Sequence, residues 1–136
     1  MNLEQLQRML DGHEWNDVEF KEARNNVPDK IYRSVSAFSN TAGGWVVFGV
    51  KDDDGNLSVV GVVAVDKVQN DFITALRGKT KISRAIELNA DLLEHDDGTV
   101  LAFYIPEAHR NDKPVHLKGE LRESYIRRGA SDLKCS

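Results

Sequence analysis

Three segments of the chain carry apolar residues at intervals of three and four, the period of a helix with one buried face. Each segment is followed by glycine, which readily adopts the left-handed conformation that ends a helix. The glycines are Gly12, the pair Gly43 and Gly44, and Gly78. The apolar positions that predict the helices are Leu3, Leu6, Met9 and Leu10, then Ile31, Val35 and Phe38, then Val68, Phe72, Ile73 and Leu76.

Polar residues mark where the second and third helices are predicted to begin. Asn26 followed by Pro28 is typical of a cap and a first-turn proline. Asp66 with Gln69 three residues later fits a capping box, in which the two side chains bond to each other's backbone amides. We therefore expect the second helix to start near residue 28 and the third at residue 66.

The segments between these helices predict strands. The apolar run 45–50 indicates a strand buried on both faces, and the alternation in 17–21 and 86–92 indicates half-buried strands. Turn residues at 53–56 and 96–98 predict hairpins that return through 59–63 and 100–105, and a last short strand is expected at 124–128. The resulting fold class is α+β, with a central mixed β-sheet and about three flanking helices.

Length and composition limit the kind of protein further. A chain of 136 residues fits one domain over residues 1–136, and no apolar run approaches the ~20 residues of a membrane span. The single cysteine, Cys135, excludes a disulfide framework and a cysteine zinc site. The first residues lack the pattern of a signal peptide, so we expect a cytoplasmic location and no membrane contact.

Acidic residues offer one candidate catalytic site. Glu14 and Glu19 flank the start of the first predicted strand, and Asp52 follows the buried one. If these strands are neighbours, the three carboxylates converge on a hard cation such as Mg²⁺ or Mn²⁺, which can activate water for phosphodiester cleavage. Lys21 would then steady the attacking water or the developing phosphate charge. Solvated turn residues are the simpler interpretation of Asp52 and its acidic neighbours.

Basic residues offer a candidate binding surface instead. The net charge of −4 excludes a globally basic nucleic-acid binder but leaves room for a local basic patch. Arginine and lysine hold backbone phosphates, and an aromatic side chain beside them could stack on an unpaired base. Solvated surface charge is the alternative. The candidate nucleic-acid-binding residues are Arg77, Lys79, Lys81 and Arg84 after the third helix, and Tyr125, Arg127 and Arg128 on the last strand.

A series of short motifs occurs in order along the chain, at spacings that fit a known family. With these motifs the chain resembles the Schlafen-type AlbA-like (AlbA_2) domain from about Glu14 to Ser131. The motifs begin with Glu14 and end just before Asp132. They are Glu14, Val18–Lys21, Ser36–Gly44, Val47–Asp52, Val60–Val62, Lys113–Val115 and Tyr125–Ser131.

The resemblance implies a sheet with flanking helices and a DNA- or RNA-binding role. In bacteria this domain often forms the N-terminal part of RecG-related helicases, divergent AAA proteins or transcriptional regulators, so we expect a further domain after residue 136. In some Schlafen proteins it also implies metal-dependent RNA cleavage by an acidic trio, which would fall on Glu14, Glu19 and Asp52. Those nuclease cores carry two such lobes, and a homodimer of this chain would rebuild the groove between them.

The sequence thus leads to one expectation with two alternatives. The expectation is a DNA-binding module of a bacterial transcriptional regulator or RecG-related helicase-like protein, without catalysis by this segment and without a cofactor. The first alternative is a metal-dependent ribonuclease that uses Mg or Mn. The second is a protein-interaction or dimerisation module, which the acidic net charge favours.

Overall fold

The computed structural model describes residues 1–13, 15, 17–118 and 123–135. Within that part of the chain the helices are α1 (Leu3–Leu10), α2 (Ile31–Asn40) and α3 (Val65–Arg77), with a short 3-10 turn at Arg110–Asp112. The strands are β1 (Val18–Lys21), β2 (Gly44–Phe48), β3 (Val50–Asp53), β4 (Asn56–Val59), β5 (Ala90–His95), β6 (Gly98–Ile105), β7 (Tyr125–Arg128) and β8 (Ser131–Lys134).

A four-stranded mixed sheet in the order β1-β2-β6-β5 forms the centre of the domain. β1 runs parallel to β2, with Val18 opposite Trp45, whereas β6 pairs antiparallel with both β2 and β5. Two further hairpins, β3-β4 and β7-β8, lie outside this sheet. The predicted α+β class with a mixed sheet and three helices is confirmed.

The two faces of the sheet are buried in two separate clusters. On one face, Phe48 and Phe103 pack against Phe72 of α3 with ring centroids 4.9–5.7 Å apart in edge-on geometry. This edge-on packing suits the charge distribution of aromatic rings. On the other face, Leu6 and Met9 of α1 join a smaller cluster. Helices α2 and α3 therefore cover one face and α1 covers the other.

The predicted strand 45–50 is interrupted in the structure. Gly49 has φ +102°, a conformation that favours glycine. β2 therefore ends at Phe48, and the chain turns away at Val50 into the separate β3-β4 hairpin. A continuous apolar run cannot reveal this break, because both strands bury their residues near the glycine.

Several predicted boundaries are wrong. The alternation in 86–92 comes from an irregular segment that buries Ile86 and Leu88 beneath α3, where the Ile86 amide donates to the Leu76 carbonyl at 3.0 Å. β5 begins only at Ala90, the return strand predicted at 59–63 is β4, and β8 was not expected. Burial of alternate residues against α3 gives this irregular segment the same alternation of apolar and polar residues as a half-buried strand.

The predicted helix caps also differ from the structure. α2 begins after Lys30 and α3 after Ala64, and neither position makes a capping hydrogen bond through a side chain. Asp66 lies inside the first turn of α3, where its negative charge favours the positive end of the helix dipole. Asn26 and Pro28 belong to the turns that precede α2.

Polar side chains on α2 hold the C-terminal part of the chain in place. The Asn40 amide nitrogen donates to the carbonyls of Val115 and Tyr125, both at 2.9 Å, and its oxygen accepts from the Val115 amide at 2.7 Å. The Ser36 hydroxyl donates to the Val115 carbonyl and accepts from the Tyr125 amide. These hydrogen bonds fix the β7-β8 hairpin to α2.

None of the helices in the described ranges combines the length and apolar character needed to cross a bilayer.

Candidate functional site

The basic cavity is a depression of about 420 Å³ beside the start of α2. Two of its cations, Lys30 and Arg33, come from the beginning of the helix, and two come from distant loops. The remaining lining is one carboxylate and a few uncharged side chains. The lining residues are Asp29, Lys30, Tyr32, Arg33, Thr80, Lys81, Leu117 and Lys118.

Backbone pairing between two loops brings Lys81 and Lys118 together. Ile82 forms an antiparallel bridge with Leu117, and the Lys118 amide donates to the Lys81 carbonyl at 3.0 Å. The side chain of Ile82 is fully buried, which anchors this pairing in the main core. The cavity therefore depends on a contact across more than thirty residues of chain rather than on one basic segment.

The electrostatics of the basic cavity leave an excess of positive charge. Lys81 Nζ lies 3.4 Å from the Asp29 carboxylate and 6.0 Å from the centroid of the Tyr32 ring. Burial, with smaller contributions from the charges of Asp29 and Asp71, raises the pKa of Tyr32 to about 12. Tyr32 is therefore neutral at physiological pH, and four cations face a single carboxylate.

Of the cations predicted after the third helix, Lys81 lines this cavity, and Arg77 and Arg84, like Lys81, form exposed ion pairs. Arg77 Nε is 3.3 Å from the Glu87 carboxylate, and Arg84 pairs with Asp112. Lys79 is exposed and has φ +55°. Exposed pairs of this kind are worth roughly 0–1 kcal/mol, so a phosphate can compete for these cations.

Tyr125 occupies a different position from the one expected for a stacking residue. Only 6% of it is exposed, and the guanidinium of Arg33 lies 5.7 Å from the centroid of its ring. Its hydroxyl donates to the Glu123 carboxylate. The buried ring therefore packs against the Arg33 guanidinium and does not present a face to solvent.

Arg127 is buried, whereas its neighbour Arg128 is exposed. The Arg127 guanidinium donates to Asp132 at 2.7 Å and to the Val18 carbonyl at 3.2 Å, and it lies 4.9 Å from the centroid of the Phe38 ring. These contacts occupy the group that a phosphate would need. The structure therefore separates the two arginines that the sequence placed together.

The acidic groove, of about 320 Å³, contains two of the three carboxylates from the predicted trio. Glu19 and Asp52 both line it, together with His13, Trp15 and Arg127. Glu14 lies outside the described residues. β1 pairs with β2, as the predicted convergence of these carboxylates requires, and it also contacts β3, which carries Asp52.

The two carboxylates of the groove have different surroundings. Burial raises the pKa of Glu19, although the charges of Arg127 and Lys21 oppose this effect. The Lys21 ammonium lies 3.8 Å from the Glu19 carboxylate, and Asp52 accepts a hydrogen bond from the Gly55 amide at 2.9 Å. Lys21 therefore pairs with Glu19, and Asp52 also serves to shape the β3-β4 turn.

The described part of the chain does not itself complete a metal site. Across residues 1–13, 15, 17–118 and 123–135, no group of three or more His, Cys, Asp or Glu residues could hold a metal ion. Two of the three predicted oxygen ligands, Glu19 and Asp52, share the groove. A Mg²⁺ or Mn²⁺ site would require Glu14 as well.

Lys30, Arg33 and Lys118 line the basic cavity but were not predicted from the sequence. The first two are three residues apart at the start of a helix, a spacing that places both side chains on one face. That signal was available in the sequence. Lys118 joins them only through the pairing of Ile82 with Leu117, for which no local pattern exists.

A mixed sheet with helices on both faces, flanked by a basic cavity and an acidic groove, defines a small α+β domain with a local cationic surface. The family model described as "Schlafen, AlbA_2" matches residues 14–136. The chain therefore belongs to the Schlafen AlbA_2 family, as its motifs indicated.

Solved structures share this fold. The N-terminal domain of a RecG-related protein from Nitrosomonas europaea is 26% identical and superposes with a TM-score of 0.73, covering 100% of this chain and 94% of that one. The DIP2311 protein from Corynebacterium diphtheriae is 22% identical with a TM-score of 0.61. That alignment covers 98% of this chain but only 26% of the other, so this chain matches about a quarter of that protein. No curated protein matches the sequence.

Proposed function

We propose that this domain binds nucleic acid and that the cations of the basic cavity contact its phosphates. The observation that carries the proposal is the convergence of four cations and one carboxylate on a single depression in a chain whose net charge is −4. Such local concentration of positive charge is the electrostatic footprint of phosphate binding. The overall negative charge limits non-specific attraction elsewhere on the surface.

The family adds support for a nucleic-acid role. The Nitrosomonas europaea relative is the N-terminal domain of a RecG-related protein. By analogy, we propose that this domain serves as the DNA-binding module of a bacterial transcriptional regulator or of a RecG-related helicase-like protein.

Further cations extend the proposed interface beyond the cavity. Arg77 is the last residue of α3, and Lys79 and Arg84 lie on either side of Lys81 in the segment that follows. Arg128 is exposed on β7. We assign these four residues to additional phosphate contacts and assign Arg127 to the support of the acidic groove.

Fluorescence anisotropy with labelled single-stranded and duplex DNA and RNA of about 12 nucleotides tests this proposal, because single-strand sites commonly span about 4–16 nucleotides. We expect binding that weakens with salt. The Arg33→Ala and Lys118→Ala substitutions should each weaken it about tenfold and reduce the slope of log affinity against log salt by about 0.7–0.9.

Arg8→Ala provides a matched control. Arg8 is an exposed cation on α1, which covers the opposite face of the sheet from α2. We expect its loss to leave affinity and salt slope unchanged. Equal effects of Arg8→Ala and Arg33→Ala would contradict the assigned surface, and absence of binding to every probe would favour the protein-interaction or homodimer role.

A second candidate function rests on the acidic groove. We propose metal-dependent RNA cleavage as the alternative, because Glu19 and Asp52 share one groove with Lys21 paired to Glu19. Glu14, Glu19 and Asp52 would hold Mg²⁺ or Mn²⁺, and the ion would supply activated water. Lys21 would stabilise negative charge that develops on the phosphate.

Loss of full-length labelled RNA over time, with and without Mn²⁺, measures this activity. Asp52→Asn should abolish metal-dependent cleavage while binding at the basic cavity is retained. Asp96→Asn, which makes the same charge change in the exposed β5-β6 turn, should not affect cleavage. Cleavage that persists in Asp52→Asn would rule out this groove as its source.

A further inference from the structure

A second depression, the Ser39 cavity, lies between the end of α2, the end of β6 and the segment before β5. Its volume is about 310 Å³, at the lower end of the range for small-molecule pockets. Much of its wall is apolar. The apolar lining residues are Ala85, Ile86, Pro106, Ala108 and Val115.

Ser39 lines this cavity with a buried hydroxyl that is unsatisfied. The residue is 1% exposed, and its side-chain oxygen has no hydrogen-bond partner within the described part of the chain. Its carbonyl accepts from the Ala108 amide at 2.8 Å, which fixes the position of the residue at the cavity wall. Buried hydroxyls nearly always have a partner, so an orphan at a cavity wall points to a ligand with a polar group.

The rim of the Ser39 cavity carries cations from the proposed nucleic-acid surface. Arg84 lines the cavity and pairs with Asp112, and Arg77 pairs with Glu87, another lining residue. Glu107, the third carboxylate of the lining, pairs with Lys113 at 2.7 Å, so each lining acid is matched by a cation. A suitable ligand has three parts. Its flat apolar body would contact the apolar wall, its polar edge would bond to the Ser39 hydroxyl, and its phosphate would contact the cations of the rim.

The Ser39 cavity and the basic cavity are linked by one short segment. Lys81 lines the basic cavity, and Arg84, three residues later, lines the Ser39 cavity. Three residues span at most about 11 Å when fully extended. A strand only a few nucleotides long can therefore contact both places.

We propose that the Ser39 cavity accepts one unpaired base of a single strand whose phosphates lie on the neighbouring cations. The apolar wall contacts the faces of the base, and the Ser39 hydroxyl bonds to its polar edge. Recognition of unpaired bases by apolar contact and edge hydrogen bonds is common in proteins that bind single strands. This inference rests on the proposed nucleic-acid function and specifies single strands as its substrate class.

Anisotropy with two single strands of equal length tests the inference: one carries bases, and the other consists of abasic deoxyribose phosphate units. We expect the wild type to bind the base-bearing strand about tenfold more tightly, in line with the contribution of one recognised base. Ser39→Ala should lose three- to tenfold on that strand and nothing on the abasic strand. Ala85→Trp, at an exposed lining position, should also remove the preference.

Stability measurements separate ligand binding from a structural role of Ser39. Ser39→Ala removes an unsatisfied hydroxyl, so its midpoint of thermal unfolding should equal or exceed that of the wild type. Ser58→Ala, at an exposed serine on β4, serves as the control and should change neither stability nor strand preference. A lowered midpoint with unchanged preference would overturn the assignment.

The remaining outcomes distinguish the inference from the function on which it rests. If the wild type binds the base-bearing and abasic strands equally and Arg33→Ala weakens binding, the proposal of a base site at the Ser39 cavity is wrong. The proposed phosphate-binding surface is then retained. Binding to duplex alone would lead to the same conclusion. Failure to bind any strand would overturn both.

Discussion

The guanidinium Nη2 of Arg127 lies 3.4 Å from the Glu19 carboxylate, so that a residue of β7 closes the groove formed in part by β1. Nη1 of the same arginine reaches Asp132 at 2.7 Å, and Asp132 in turn accepts from the Ser34 hydroxyl of α2 at 2.6 Å. The side chain of Arg127 is only 4% exposed. One cation therefore joins the first strand, the second helix and the last hairpin.

Removal of this cation should destabilise the fold. Arg127→Ala removes the cation that the partly buried carboxylates of Glu19 and Asp132 share, and the loss of one partner of a buried pair typically costs about 3–5 kcal/mol. We expect the free energy of unfolding in urea to fall by about 3 kcal/mol at pH 7. Arg128→Ala, one residue away but exposed, should change it by less than about 0.5 kcal/mol.

The two arginine variants also separate folding from binding. Arg128→Ala should weaken nucleic-acid affinity modestly without affecting stability, as expected for a phosphate contact. If Arg127→Ala retained full stability and lost affinity, Arg127 would be a phosphate contact after all.

Glu19 should give the domain a characteristic pH dependence. Its pKa is raised above the ordinary value of 4.5 by burial, against the opposing charges of Arg127 and Lys21. A carboxyl that binds its proton more tightly in the folded state adds stability below pH 4.5, and this contribution is lost as pH rises through the raised folded pKa.

Comparison of the wild type with Glu19→Gln isolates this contribution, because the other titrating groups are common to both proteins. The free energy of unfolding of the wild type, minus that of the variant, should decline as pH rises above 4.5. The measurement is urea unfolding at a series of pH values. A difference that rises with pH would mean that the pair with Arg127 outweighs burial.

Loss of the Asn40 side chain should detach the C-terminal segment from α2. Asn40→Ala removes three hydrogen bonds to main-chain groups of Val115 and Tyr125, and a fourth to the Ser36 hydroxyl, and leaves those main-chain groups without these partners. We expect a loss of about 2–4 kcal/mol in the free energy of unfolding. Hydrogen exchange should show the largest increase at the Val115 amide, which loses its acceptor.

The conservative variant Asn40→Asp tests the same contacts in part. It retains an acceptor for the Val115 amide but cannot donate to either carbonyl. Its stability should therefore fall below the wild type as well. Asn56→Ala, at an exposed position in the β3-β4 hairpin, should cost less than about 1 kcal/mol.

The contact between Gly44 and Phe38 leaves no room for a methyl group. A Cβ at position 44 would lie 2.4 Å from Cδ1 of the fully buried Phe38 ring. Gly44→Ala should therefore destabilise the fold by about 1–3 kcal/mol through overpacking. Because Phe38→Leu removes the ring, the cost of Gly44→Ala should be smaller in that background, which a double-mutant cycle measures.

Asp112 pairs with Arg84 and would compete with a bound phosphate for its guanidinium. If Arg84 contributes to the proposed interface, Asp112→Asn should raise affinity for single strands about two- to threefold, because it frees the guanidinium and removes a negative charge. Asp96→Asn makes the same charge change in the β5-β6 turn and should not raise the affinity for single strands. Equal gains in both variants would indicate an effect of net charge alone.

Local patterns predicted the fold class because each helix and most strands carry a hydrophobic period of their own. The break at Gly49 and the buried loop around Ile86 were missed, since burial by distant residues imposes apolar positions on irregular chain as well. Tyr125 and Arg127 were predicted to contact nucleic acid, but both are buried on β7. The short strand among polar residues does not show which of its two faces is buried.

The candidate site was accessible from sequence only in part. Glu19 and Asp52 were joined on the condition that their predicted strands are neighbours, and both line the acidic groove. Arg127 is held in the groove by its contact with Glu19, which lies 108 residues earlier in the chain. Local sequence patterns do not predict a contact between residues so far apart. The same holds for Lys118, whose position depends on a pairing with the loop after α3.

The anchoring of the last hairpin has a consequence for how freely this domain can change. Ser36, Asn40 and Thr41 contact main-chain atoms of the hairpin and of Val115 in the segment before it, and the Arg127 amide donates to the Thr41 hydroxyl. Main-chain atoms are the same whatever the side chain. Residues at the end of α2 therefore hold the hairpin in place whatever its side chains are. The outward-facing side chains of the hairpin can change, and with them the ligand specificity, while the hairpin keeps its position.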